Sequence, residues 1–299
     1  MKRNTMFKGA LLLVAIVWGG GFPITKIALD SGMEPNAIMT VRFLIASLLI
    51  FIYLLATKAR ITKAEAKLGL MGGILLGLAF SFQTVGLKYT TPAKNAFITG
   101  AYVVLVPFLL WIMTKKRPKA IVYISSLLCF IGIGLLSLDN GELGMKYGDL
   151  LTLISAVFFA LQISVIGANI GDQNPLVINA FQMLSGGILT LVLNICFENF
   201  SIVTVRMTTL QMGAVGFLII FNTLFAYVMQ TIAQKYVASS TAALILSTEI
   251  LFGALTSVIF MGEHITIKAI LGGVLIFAAV LLSESDYDFD KFFTKQLKE

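Results

Sequence analysis

The sequence contains few charged residues. Asp, Glu, Lys and Arg together make up 12% of its 299 residues, whereas soluble domains carry roughly 25%. A chain with so little charge cannot cover a globular surface with polar groups, and 58% of its residues are hydrophobic. A soluble enzyme is therefore nearly excluded, although the length alone would suit one or two soluble domains.

Cysteine and histidine are also scarce. The two cysteines, Cys129 and Cys196, lie in apolar runs, which indicates free buried thiols rather than a disulfide framework. With one histidine, His264, and two separated cysteines, the sequence offers too few ligands for a metal site. It also contains no Walker loop, no HExxH motif and no catalytic constellation within its apolar runs. We therefore predict no enzyme activity, no catalytic residue, no metal, no cofactor and no direct use of ATP.

Long apolar runs make up most of the chain. A spanning helix needs about 20 apolar residues, because a rise of 1.5 Å per residue must cross roughly 30 Å of hydrocarbon. Ten stretches fit this length, and short polar segments connect them. We predict an all-α integral membrane protein with ten transmembrane helices near residues 7–28, 36–56, 68–87, 94–113, 120–138, 149–168, 176–197, 211–233, 239–260 and 268–283.

The basic residues predict the orientation of these helices. Of the 22 Lys and Arg residues, fifteen fall in segments on the side of the N-terminus and five on the opposite side. Cytoplasmic segments carry such an excess of positive charge, so we expect both termini inside, in a multi-pass protein of the cytoplasmic membrane. The net charge of +7 is therefore a topology signal, and we expect no nucleic-acid partner.

The chain contains an internal repeat. At an offset of 147, Gln83 falls on Gln230, Phe80 on Tyr227 and Tyr102 on Glu249. At an offset of 140, Pro35 falls on Pro175 and Trp18 on Phe158. We predict two five-helix repeats at residues 1–140 and 141–285, followed by a cytoplasmic tail at 286–299. An odd number of spans inverts the second repeat, which places a pseudo-two-fold axis in the membrane plane and a site near the midplane.

Four motifs resemble the ten-helix EamA-type branch of the drug/metabolite transporter superfamily. They are Trp18–Lys26 in the first span, Arg42-Phe43 with Ala46 in the second, Ala93–Leu110 in the fourth, and Thr248–Leu255 followed by Gly262-Glu263 in the ninth. One departure is Ile250, where many members of the family have proline. The resemblance implies a secondary transporter, usually an exporter of amino acids or related metabolites.

Polar and aromatic residues deep in the apolar spans are the candidates for substrate binding. Glu249 is the sharpest, since a charge at this depth costs about 2.5–3.5 kcal/mol and usually faces a cavity or a partner. It could carry a proton or bind a substrate ammonium, or it could be a protonated structural acid. The full candidate set is Trp18, Phe80, Gln83, Tyr102, Gln162, Tyr227, Gln230 and Glu249. For the glutamines, gluing of neighbouring helices is the structural alternative.

Lys26 and Arg42 are the candidates for gating. Both lie toward the outer ends of their predicted spans, where Asp30 and Glu34 could pair with them. The alternative is that both side chains snorkel to the lipid headgroups. The run Gly19–Pro23 should also weaken the first helix, because glycine lacks a side chain and proline lacks a backbone donor.

The leading functional hypothesis is an alternating-access exporter of a small amphipathic metabolite, with an amino acid as the preferred candidate. A second hypothesis is proton-coupled efflux of cationic drugs, with Glu249 exchanging a proton for the cation. A third is an intramembrane enzyme or a structural subunit of a membrane complex. The expected partners are the small-molecule substrate, the lipid bilayer and, in the second hypothesis, protons. The sequence does not determine the substrate, the coupling ion, the direction of transport in the cell or the oligomeric state.

The topology can be tested by cysteine labelling in a variant without Cys129 and Cys196. Single cysteines at positions 32 and 299 should react with an impermeant maleimide from opposite sides of the membrane, because the predicted first loop and the C-terminus lie on different sides. Labelling of both positions from the same side would contradict the inverted repeat.

Overall fold

The computed structural model describes residues 2–137, 147–201, 208–261 and 267–284, and the backbone of these residues forms helices and no strands. Eight helical segments are long and apolar enough to cross a membrane, and two shorter apolar helices, Ala120–Leu135 and Ile270–Leu282, fall where the fifth and tenth spans are expected. The all-α fold with ten predicted spans is thus confirmed. The predicted tail at 286–299, Gly262-Glu263 and His264 lie outside the described residues.

Within the described ranges the spans are built from thirteen α-helices and one π-helix. Spans four, eight and nine are each composed of more than one helical segment. In chain order the elements are α1 (Lys2–Asp30), α2 (Pro35–Ala56), α3 (Lys63–Lys88), α4 (Pro92–Thr99), α5 (Tyr102–Thr114), α6 (Ala120–Ser137), α7 (Tyr147–Asn169), α8 (Pro175–Phe197), α9 (Thr209–Phe217), the π-helix (Leu218–Phe225), α10 (Ala226–Gln234), α11 (Ser239–Leu246), α12 (Glu249–Met261) and α13 (Ile267–Glu284).

Helix starts repeat between the halves. Proline occupies the first turn of α2 and of α8, where its missing N–H would have no intrahelical partner in any case. A capping box opens α3, in which the Thr62 and Glu65 side chains each bond the other residue's backbone N–H, and Thr208 and Gln211 form the same box before α9. These starts therefore agree with the repeat read from the sequence.

The helices pack with the same symmetry. The first helix of each half lies against the third and fourth spans of the other half: α1 against α10 and α12, and α7 against α3 and α5. Equivalent spans pair across the pseudo-axis: α2 packs on α8, α6 packs on α13, and the fourth span meets the ninth through α5 with α11 and α4 with α12. The two halves are interlocked rather than stacked side by side, and their main hydrophobic core lies between them.

Spans four and nine are interrupted at equivalent positions. The break after α4 lies at Gly100-Ala101 and the break after α11 lies at Ser247-Thr248, which is 147 residues later. Each break contains three short-range bonds of the 3₁₀ type, such as the N–H of Ala101 to the carbonyl of Ile98 at 3.1 Å and that of Thr248 to Ile245 at 3.2 Å. The ninth span is therefore broken without a proline at Ile250.

Polar contacts mark the two ends of the bundle. At one end Lys88 pairs with Glu34 at 2.7 Å and Lys94 with Asp149 at 2.7 Å. At the other end the backbone N–H of Asn174 donates to Glu65, and the Lys235 ammonium donates to the carbonyl of Gln173. We call these the Glu34 end and the Glu65 end. In the predicted orientation the Glu34 end faces outward.

The glycine run does not interrupt the first helix, which corrects the expectation of a weak point there. Helix α1 is continuous through Pro23. The carbonyl of Gly19, four residues earlier, cannot bond to the proline nitrogen and instead shares the hydroxyl of Thr256, at 3.3 Å, with the nearer carbonyls of Phe252 and Gly253. A Cβ at Gly19 would lie 2.6 Å from the backbone oxygen of Glu249. The missing side chain thus allows α1 and α12 to touch.

One cysteine prediction is wrong. Cys129 is buried, whereas Cys196 is exposed. Large apolar side chains such as Leu48, Leu55 and Ile195 are also exposed, as expected for helix faces in contact with lipid. In a membrane protein an apolar run therefore does not imply burial inside the protein.

The contact between α1 and α12 yields a paired test. Gly19→Ala should lower the thermal unfolding midpoint of the purified protein by several degrees, because overpacking of a close helix contact typically costs about 1–3 kcal/mol. Gly20→Ala is the matched control, since nothing lies within 4 Å of a Cβ at Gly20. It should leave the midpoint unchanged or slightly higher. Equal losses in both variants would argue against this packing.

Candidate functional site

A cavity lies between the two halves, at the level of the broken spans. The empty volume between its lining side chains, including the part at its open side, is about 610 Å³. Every lining residue is buried except Trp18, which is half-buried. The lining consists of Trp18, Gly21, Phe22, Thr25, Arg42, Phe80, Gln83, Thr84, Leu87, Thr99, Tyr102, Phe159, Gln162, Ile163, Asn222, Tyr227, Gln230 and Glu249.

The structure brings the predicted binding residues together. All eight candidates, Trp18, Phe80, Gln83, Tyr102, Gln162, Tyr227, Gln230 and Glu249, line this one cavity although they come from both halves of the chain. Of the two gating candidates, Arg42 lines the cavity and Lys26 does not. The reason is general: a polar side chain in mid-span avoids lipid by facing the interior of the bundle.

Glu249 and Tyr102 face each other across the two breaks. Each is the first residue of the helix that follows its break, Tyr102 in α5 and Glu249 in α12. The Tyr102 hydroxyl lies 3.5 Å from Oε1 of Glu249, which is a long hydrogen bond. Among the described residues no other side chain bonds this carboxyl group. The carboxyl can therefore take a ligand without losing a strong internal bond.

The three glutamines of the cavity are bonded to different degrees. Gln83 donates to the Thr99 hydroxyl at 3.0 Å, and Gln162 donates to Gln182 at 3.3 Å. Gln230 is buried, and neither its oxygen nor its nitrogen has a partner. A buried amide without partners is unfavourable. Gln230 is thus the amide that is free to bond a ligand.

Aromatic rings form one wall of the cavity. The ring centroids of Trp18 and Tyr227 are 5.0 Å apart, and Phe80 packs edge-on against Phe159 at 5.1 Å and against Tyr227 at 6.0 Å. The repeat had matched Trp18 with Phe158, but Phe158 stacks on Phe82 outside the lining, and its neighbour Phe159 lines the cavity. Sequence matching missed Phe159 by one position because the match did not include helix rotation.

Two expectations for Arg42 are wrong: it does not pair with Asp30 or Glu34, and its side chain does not snorkel to the lipid headgroups. Arg42 is 1% exposed, and among the described residues it makes no ion pair. Its nitrogens bond Thr223 and Asn222 instead, and its guanidinium lies 5.2 Å from the Phe80 ring centroid. Lys26 does pair with Asp30, at 3.2 Å, and Glu34 is engaged by Lys88.

Asn222 is a polar lining residue that was not among the candidates predicted from the sequence. It lies in the π-helix, bonds the backbone of Val17 and the side chain of Arg42, and accepts the Trp18 indole N–H on its carbonyl at 2.9 Å. An asparagine and a threonine inside an apolar run were the available signal. A π-helix cannot be read from apolar spacing, so the direction of Asn222 was not predictable. Within the described ranges no cluster of three or more metal-ligating side chains occurs.

The two glutamines from the repeat give a matched prediction. Gln230→Leu should keep or raise the thermal stability of the purified protein, because it removes a buried amide without partners. Gln83→Leu should lower stability by about 1–3 kcal/mol, because it removes the donor to Thr99. Circular-dichroism melting of both variants in detergent checks this. Greater destabilisation by Gln230→Leu would mean that its amide is bonded within the protein.

Known proteins resemble the chain over nearly its whole length. The EamA-like transporter family matches residues 8–138 and again residues 146–284. An uncharacterized transporter of Archaeoglobus fulgidus is 37% identical over 276 residues, covering 91% of this chain and 83% of that protein. The uncharacterized transporter YyaM of Bacillus subtilis is 27% identical, with 96% of both chains covered.

A solved crystal structure shares the fold. It aligns with a TM-score of 0.75 over 95% of this chain and 96% of that chain, at 16% sequence identity. The family matches the chain twice, once in each half, as the internal repeat predicts. With a central cavity lined from both halves and family matches that together span most of its length, the chain is a multi-pass membrane protein that belongs to the EamA-like transporter family.

Proposed function

We propose that the protein is a secondary transporter that exports a small zwitterionic metabolite with an apolar side chain, an amino acid or a related compound. The observation that carries the proposal is Glu249, a buried carboxyl group with one long hydrogen bond on the wall of the central cavity. The membership of a transporter family supports transport as the activity. The substrate class and the direction rest on the chemistry of the cavity and the predicted orientation.

The cavity suits each part of such a substrate. A carboxylate at Glu249 attracts an ammonium group, and the free amide of Gln230 can bond either polar group. The rings of Trp18, Phe80 and Tyr227 can enclose an apolar side chain. Ligand sites typically combine such an apolar wall with a few convergent polar groups.

Alternating access is consistent with how the cavity is closed. Toward the Glu65 end, one apolar cluster contains Phe7, whose ring stacks on Tyr236 at 4.4 Å, and a second contains Leu68 and Ile178. We propose that these clusters seal the cytoplasmic side in the described state and separate when the cavity opens inward. The equivalent breaks in spans four and nine give both halves a place to bend.

Proton-coupled efflux of cationic drugs is the second candidate. Glu249 favours it, because a carboxyl group can exchange a proton for an organic cation. Arg42 in the same cavity weighs against it, since a buried positive charge repels a purely cationic ligand.

For either transporter we propose the cytoplasmic membrane as location with both termini inside. The names of the relatives favour transport over an enzymatic or structural role.

Glu249→Gln tests the proposal in proteoliposomes without ATP. The variant should fold, because glutamine preserves the size and hydrogen-bonding capacity of the side chain. It should reduce initial rates of amino acid counterflow roughly tenfold or more, since a charge-assisted bond to the substrate is lost. The rate should also depend less on pH, because Tyr102, Tyr227 and Arg42, the other titratable groups nearest in the cavity, keep one charge state near neutrality.

Tyr102→Ala is the comparison for this experiment. It should weaken substrate affinity and leave measurable exchange, because it removes a neighbour of the carboxyl group and keeps the carboxyl itself. Thermal unfolding of both variants controls for folding. Normal transport by Glu249→Gln at every pH tested would show that the acid is structural and that the proposed ammonium site is wrong.

A further inference from the structure

Arg42 is a buried charge without a counter-ion. It is 1% exposed on α2, and among the residues that the structure describes no carboxylate lies within ion-pair distance of it. A charge removed from water is unfavourable unless it is paired and hydrogen-bonded. Glu249 lines the same cavity but does not bond it. The bundle therefore contains a cation whose natural complement, an anion, is not supplied by its packed neighbours.

The π-helix holds this cation in a fixed direction. Nε of Arg42 donates to the Thr223 hydroxyl at 2.9 Å, and Nη2 donates to Oδ1 of Asn222 at 2.5 Å. Thr223 in turn donates to the carbonyl five residues before it, that of Leu218, at 2.8 Å. The π-helical backbone thus directs two consecutive side chains at one guanidinium group.

Asn222 is itself anchored from the other side. Its Nδ2 donates to the backbone carbonyl of Val17 at 3.1 Å, and its backbone carbonyl accepts the Trp18 indole N–H at 2.9 Å. A side chain at Gly21 would collide with the Asn222 amide, so α1 leaves room for it. Since Nδ2 is the donor to α1, Oδ1 must be the atom that faces Arg42. Both restraints are neutral groups and leave the positive charge in place.

Part of the guanidinium remains available. It carries five N–H groups, and two of them are used by Thr223 and Asn222. Nη1 has only the Met39 sulfur at 3.8 Å, a weak acceptor. The remaining N–H groups have no oxygen acceptor among the described residues, and the side chain lines the cavity. A planar fork of this kind matches a carboxylate, which it can bind through two parallel bonds.

We propose that Arg42, oriented by Asn222 and Thr223 of the π-helix, is the subsite for the carboxylate of the substrate. The inference deepens the proposed function and rests on it for the nature of the substrate. It places the two charges of a zwitterion on different walls: the ammonium at Glu249 and the carboxylate at Arg42. The ring of Phe80 lies against the Arg42 guanidinium and packs edge-on against the ring of Tyr227.

The neutrality of Asn222 is what keeps the subsite open. An aspartate at this position would put a carboxylate in contact with the guanidinium. It would neutralise the positive charge that otherwise attracts the substrate's carboxylate. Asn222→Asp gives the buried cation a partner but removes the Nδ2 donor to Val17, so the protein should stay folded with a thermal stability near that of the wild type and lose affinity for anions. A purely structural role of Asn222 would not separate these two effects.

Ligand binding to the purified full-length protein in detergent tests the subsite. The probes are 3-phenylpropionate, which carries only a carboxylate, and phenethylamine, which carries only an ammonium on a similar skeleton. Isothermal titration should show saturable binding of 3-phenylpropionate to the wild type. The affinity should fall roughly tenfold or more in Arg42→Gln and in Asn222→Asp, the expected effect of losing a charge-assisted pair. Phenethylamine should bind both variants at least as well as the wild type.

Two control variants complete the design. Asn179→Asp makes the same substitution at a buried asparagine that does not line the cavity, and it should leave 3-phenylpropionate affinity within about twofold. Glu249→Gln removes a negative charge from the cavity, so it should weaken phenethylamine and not 3-phenylpropionate. If Arg42→Gln fails to fold, Asn222→Asp still decides, since it retains the arginine.

The outcomes separate this inference from the proposed function. No binding of 3-phenylpropionate to the wild type, or equal binding to wild type, Arg42→Gln and Asn222→Asp, overturns the carboxylate subsite. Arg42-dependent binding together with a failure of all amino acids in counterflow would leave the subsite standing and overturn the proposed substrate class. Amino acid counterflow that is unaffected by Asn222→Asp would overturn the subsite and leave the transporter proposal intact.

Discussion

A bilayer offers no water to unpaired backbone groups, and the irregular parts of this bundle obey that constraint. Among the described residues, four irregular places adjoin the cavity: Pro23 in the first span, the breaks of the fourth and ninth spans, and the π-helix of the eighth. At each place bonding is restored, by the Thr256 hydroxyl, by 3₁₀ bonds or by the Thr223 hydroxyl. The site exists because irregular backbone is tolerated only within the protein.

The symmetry of the backbone contrasts with the asymmetry of the side chains. The breaks, the helix starts and the packing partners repeat between the halves. At equivalent positions, however, the first half has Tyr102 where the second has Glu249, and it has Arg42 where the offset of 140 places Gln182. A duplicated scaffold thus holds one acidic and one basic side chain, Glu249 and Arg42, that have no equivalents across the axis. In the proposed transport cycle, such an arrangement would let a symmetric motion act on an unsymmetrical ligand.

Much of the fold could be predicted because one physical requirement dominates it. Twenty apolar residues in a row have few alternatives to a spanning helix, and a polar residue in mid-span has few alternatives to the bundle interior. The same reasoning found Glu249, Tyr102 and Gln230. It could not supply what depends on helix rotation or on a change of helical register, which is why Phe159, Asn222 and the internal position of Arg42 came from the structure.

The weak point expected in α1 was a different kind of error, because the helix is continuous. Glycine and proline within Gly19–Pro23 have a strong local tendency to interrupt a helix, but a neighbouring helix compensates for both. The missing side chain at Gly19 became a contact with α12, and the missing bond at Pro23 was replaced by Thr256. A contact with Thr256, more than 200 residues away, outweighs the local preference for a helix break. Such a contact cannot be seen in any short stretch of the sequence.

The interlocking of the halves has a consequence for biosynthesis. The groups that complete the surroundings of Trp18, Val17 and Gly19 belong to the eighth and ninth spans, and the indole of Trp18 bonds a residue 204 positions later. A ribosome that has released only the first half into the membrane has delivered helices whose polar faces still lack their final neighbours. The first half therefore cannot complete its packing until the last spans are inserted. Until then its polar groups need the insertion machinery or temporary contacts between helices.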